Sequence, residues 1–66
     1  MLNNDQMIEF YKANRATITK EEVMESLADS GKRPSEIGWV LHHVFGIAMP
    51  DAVHQATVYL ERGGHA

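Results

Sequence analysis

Apolar residues recur along this chain at three- and four-residue spacing, in blocks separated by glycine, proline and short β-branched stretches. In residues 4–15, Met7, Ile8, Phe10 and Tyr11 fall on one side of a helix turning roughly 100° per residue, with Asp5, Glu9 and Lys12 opposite. Ala16-Thr17-Ile18 is short and β-branched, and reads as a connector. Thr19 and Glu22 then have the spacing of a capping box, with Ile18 and Val23 at the flanking staple positions. Val23, Met24, Leu27 and Ala28 form the apolar side of this second helix, and Gly31 supplies its left-handed stop.

Lys32-Arg33-Pro34-Ser35 forms the next junction, with a proline suited to a first helical turn because its missing amide would have no partner there. A third helix is expected over 34–45. Its Ile37, Val40, Leu41, Val44 and Phe45 span an arc of about 140°, wide enough for a core face. A turn over 46–49 leads to a fourth helix opened by Pro50 and Asp51 and ended by Gly63-Gly64 near Arg62, with a frayed His65-Ala66 tail. No segment alternates with period two for long enough to make a strand. The pattern predicts an all-α fold, a compact bundle of four short helices with the third central.

At 66 residues the chain forms one domain, 1–66, with a thin stability margin. Without cysteine it has no disulfide staple, thiol nucleophile or thiolate ligand, so stability rests on apolar packing, shared or not with a second copy. Nine acids against six bases give a net charge of −3, which argues against nucleic acid as the main partner. No apolar run approaches the roughly 20 residues that span a bilayer, and the polar start Met1-Leu2-Asn3-Asn4-Asp5 lacks the order of a secretory signal. A cytoplasmic protein is expected.

Two groups of side chains are candidates for function. Trp39 points away from the apolar arc of helix three, among Glu36, His42 and His43. It is either core, covered by helix one, or an exposed aromatic anchor of the kind enriched at binding hot spots. Its polar neighbours suit the exposed position better than a dry interior. On helix two, Glu21, Glu22, Glu25 and Asp29 share one face, with like-charge i, i+4 pairs at Glu21/Glu25 and Glu25/Asp29. That face is either simply solvated or a docking surface for a basic partner.

Catalysis and metal binding find little support. Ser26, Ser30 and Ser35 lack an elbow context, and there is no phosphate-cradling glycine loop. The four histidines offer no i, i+4 pair, adjacent His42 and His43 diverge by about 100°, and no cofactor or metal site is expected.

Two resemblances bear on residues 25–60. Gly46-Ile47-Ala48 between short helices resembles the turn of a helix-turn-helix DNA reader. That likeness would turn Asp51, His54, Gln55 and Val58 toward the groove, with no lysine or arginine before Arg62. The run Leu27, Gly31-Lys32, Glu36-Ile37, Leu41, Phe45-Gly46-Ile47-Ala48-Met49 and Asp51-Ala52-Val53 resembles the helix–turn–helix of the C-terminal domain of the bacterial ribosomal stalk protein. That resemblance implies close packing of two helices around a glycine-centred turn. It does not extend to translation-factor binding, because the family's lysines around the turn have no counterparts here; Pro50 and His54 stand in their neighbourhood.

The sequence thus reads as a small non-catalytic protein-binding module, a regulator, inhibitor or adaptor. Trp39, His43, Glu36, Glu21, Glu22, Glu25 and Asp29 are its expected contact residues, and homodimerisation is compatible with its size. A nucleic-acid-binding regulator using helices three and four is the alternative.

Overall fold

Residues 3–63 are described by a computed structural model in which α1 (Asn4–Ala13), α2 (Lys20–Asp29), α3 (Pro34–Phe45) and α4 (Met49–Glu61) follow in order, with no strand among the described residues. The all-α compact bundle is as the periodicity predicts. Gly64 and the His65-Ala66 tail, expected to end α4 and fray, lie outside the described residues.

Local chemistry sets the helix ends. The Asn3 side chain accepts from the Gln6 backbone N–H at 2.8 Å, and Gln6 Oε1 accepts from the Asn3 N–H at 3.0 Å, a reciprocal cap before α1. Thr19 and Glu22 form the same device at α2, at 3.1 and 2.9 Å. Gly31 follows α2 at φ +79°, where its amide donates to the Ala28 carbonyl and the Lys32 amide to that of Leu27. That is a Schellman stop, which satisfies carbonyls the helix itself leaves open. Pro34 stands in the first turn of α3, and Gly46 closes that helix at φ +72°. The fourth helix begins at Met49, one residue before the expected Pro50, with Pro50 in its first turn.

The core is continuous. Ile37, Val40, Leu41 and Val44 of α3 are fully buried, surrounded by Val23, Met24 and Leu27 of α2, Ile8 and Tyr11 of α1, and Ala52 and Ala56 of α4. The third helix is therefore central, as its wide apolar arc requires; Phe45, at the edge of that arc, is half-buried. Its contact with α4 is close because the facing residues are small. A methyl group built on Gly38 would lie 2.6 Å from Val53 Cγ2 and 2.9 Å from Val53 Cα and N, so only glycine fits there without moving α4.

Two expectations about α1 need correction. The helix stops at Ala13 rather than Arg15. Arg15, just past its end, instead donates from its guanidinium to the Val44 carbonyl at 3.3 Å. A cation there meets one of the open carbonyls at the end of α3. Phe10, expected on the packed side, is 55% exposed. Ile8 and Tyr11 meet the core and Met7 packs at its edge, and Phe10 lies about 100° beyond Tyr11 around the helix axis. A terminal helix with few neighbours buries a narrow stripe, and Phe10 falls outside it.

Candidate functional site

Trp39 is 44% exposed although α3 is the central helix. Trp39 is therefore not a core residue under α1: α1 brings Ile8 and Tyr11 to the core, and Trp39 lies outside that cluster. One turn along the same face, the His43 ring meets the indole edge-on, with centroids 4.3 Å apart and planes at 61°. His42 in turn packs edge-on against His43, centroids 5.0 Å apart. His42 Nδ1 lies 2.7 Å from the Ile47 carbonyl oxygen, a hydrogen bond that ties the imidazole to the α3–α4 turn. The indole is thus held from behind by a ring that is itself held. Aromatic pairs in this geometry gain about 0.5–1.5 kcal/mol beyond area burial.

His43 is half-buried, and its Nε2 is shielded from solvent without a hydrogen-bond partner. Unpaired buried polar atoms are few in folded proteins. Here the ring packs edge-on against Trp39 while that nitrogen stays unpaired. Glu36, expected on the same surface, is half-buried and accepts the Arg33 backbone N–H at 3.3 Å, so it caps α3 as well as bordering Trp39.

The acids of α2 are all exposed but do not act alike. Glu22 is committed to the cap with Thr19, which removes it from a freely presented docking row. Glu25 and Asp29 stand near Tyr59 of α4. Partial burial, then the negative charges of Glu25 and Asp29, push the Tyr59 hydroxyl above its ordinary value of 10.0. Glu21 belongs to another feature, a groove of about 440 Å³ between α2 and α4 lined by Lys20, Glu21 and Met24 on one side and His54, Gln55, Val58, Tyr59 and Arg62 on the other.

Sequence reasoning missed this groove. Its signal was Val58, an apolar residue among His54, Gln55, Glu61 and Arg62, out of line with the inward Ala52 and Ala56. Gln55 presents a second shielded and unpartnered atom, Oε1. Among the described residues no group of three or more histidine, aspartate or glutamate side chains is placed to hold a metal ion, and no helix is long and apolar enough to cross a membrane. Comparison of the chain with models of protein families, with characterised proteins and with solved structures finds no match.

Proposed function

We propose that this chain is a non-catalytic protein-binding module, a small regulator, inhibitor or adaptor, whose principal anchor is Trp39. The observation that carries this reading is a tryptophan 44% exposed on the most buried helix and braced by His43. Tryptophan is the residue type most enriched among interface hot spots, and a partner that covers the exposed part of the ring gains from its burial. The exposed Glu21, Glu25 and Asp29 give the chain an acidic flank that steers basic partners and repels nucleic acid.

The alternative, a nucleic-acid reader using α3 and α4, draws less support. His54, Gln55 and Val58, three of the four residues it would turn toward nucleic acid, line the groove with α2. The fourth, Asp51, is acidic.

The test is capture from a lysate of the source organism with tagged wild type and Trp39→Ala, with and without nuclease. The expected result is one protein retained by wild type, insensitive to nuclease and lost with Trp39→Ala while circular dichroism stays unchanged. Retention of nucleic acid that falls steeply with salt would overturn the reading in favour of the alternative.

A further inference from the structure

His43 sits in an arrangement that suits its neutral ring and not its cation. Its Nε2 is shielded from solvent without a hydrogen-bond partner, and the ring packs edge-on against both Trp39 and His42, with centroids 4.3 and 5.0 Å apart. A neutral imidazole can leave one nitrogen as a bare acceptor, but both nitrogens of the cation carry a proton and must donate. A charged donor shielded from water with no acceptor is among the costliest groups to bury. Nothing around the ring supplies that acceptor. On α3 itself, His42 is bound through Nδ1 to the Ile47 carbonyl. The Glu36 carboxylate, two turns back on the same face, accepts the Arg33 backbone N–H. From the segment after α1, Arg15 brings a guanidinium to the carbonyl of neighbouring Val44, a charge of the same sign. Among the described residues no side chain of α1, α2 or α4 makes a hydrogen bond or ion pair with His43.

We propose that His43 is a pH-sensitive latch on Trp39. The neutral ring packs against the indole, and the protonated ring swings out to bring Nε2 to water. Imidazole is the side chain whose charge changes between about pH 5 and pH 8, so the latch opens within that range. Two influences act the other way, since the carbonyl end of a helix and the face of an indole both attract a cation. Here the Val44 carbonyl already accepts from Arg15, and a ring face accepts an N–H more weakly than an oxygen does. The balance therefore favours release in acid. The latch regulates binding only if Trp39 is the anchor proposed above, but it is read in the isolated chain, so the two readings can fail separately.

The experiment follows Trp39, the single tryptophan, by acrylamide quenching and fluorescence anisotropy as pH is lowered from about 8 to about 5. Wild type is expected to show a rise in quenching and a fall in anisotropy along a one-proton curve, reversed on neutralisation, with circular dichroism unchanged. His43→Phe keeps a ring beside the indole and has nothing to protonate, so both signals should stay flat at the neutral wild-type values. His43→Ala removes the ring and should also be flat, but at the values wild type reaches only in acid. The alanine variant keeps the test decisive if the larger phenylalanine disturbs the fold. A flat wild-type profile, a response that persists without His43, quenching that falls in acid, or a change that follows loss of helix would each overturn the proposal.

Discussion

The fourth helix is packed in two different ways on its two sides. Toward α3 it presents Ala52 and Ala56, both fully buried, and Val53 rests on Gly38 so closely that no Cβ fits between them. Toward α2 it presents Val58, Tyr59, His54 and Arg62, and a groove remains open. Small residues let two helix backbones approach until main chain meets side chain, and that contact has one geometry. Long side chains hold their helices apart and can reorient. One side of α4 therefore sets the fold, and the other is available for contacts outside it. The same division separates the buried arc of α3 from Trp39 on its far side.

The harshest way to break the closed side is Leu41→Ala. Leu41 is fully buried at the middle of α3, and its truncation should cost about 2–5 kcal/mol, comparable with the whole stability of a domain this small. The variant should be largely unfolded at room temperature; a well-dispersed NMR spectrum would show that the α3 core tolerates a cavity. Gly38→Ala is next. Because the new methyl meets the backbone of Val53, α4 must shift, and a loss of about 1–3 kcal/mol is expected in urea titration. An unchanged midpoint would mean that α3 and α4 are not in that contact.

Two smaller changes sharpen the open side. Thr19→Ala removes the cap that starts α2, the wall of the groove, and should cost about 1 kcal/mol without altering the α3–α4 contact. A melting curve identical to wild type would place the start of α2 elsewhere. Tyr59 supplies the smallest effect, visible only in alkali. Its folded-state value lies above 10.0, so the unfolded chain loses this proton first. Its contribution to stability is complete below pH 10.0 and is lost as pH rises through the folded-state value. Thermal melts from pH 8 to pH 11 should show an alkaline fall that Tyr59→Phe reduces. The same fall in both proteins would remove Glu25 and Asp29 from the surroundings of Tyr59.

Much of the fold was legible because its determinants are local. Thr19 with Glu22, Gly31 after Ala28, and Pro34 ahead of Ile37 each report on a few neighbouring residues, and α2 and α3 lie where these place them. The start of α1 uses the same chemistry in a less obvious pair, Asn3 and Gln6. The exposure of Phe10 was not legible, since it depends on how many helices flank α1 and not on its own periodicity. Trp39 could be placed opposite the core arc by counting, but whether α1 reaches over it is a question of distant packing. The groove was the least visible part. Met24 reads as core and His54 as solvated surface until two helices distant in sequence are set side by side. Glu22 shows the reverse error: one residue matched both a cap and an acidic face, and the structure commits its carboxylate to the cap.

The claim at the centre of this account is that Trp39 is presented to solvent by a fold that does not need it. The most direct measurement is the emission wavelength of this single tryptophan in the isolated protein, paired with circular dichroism of Trp39→Ala. The account predicts red-shifted emission at every protein concentration and a variant as helical as wild type. A blue-shifted, concentration-independent emission, with a variant whose helices melt, would contradict it.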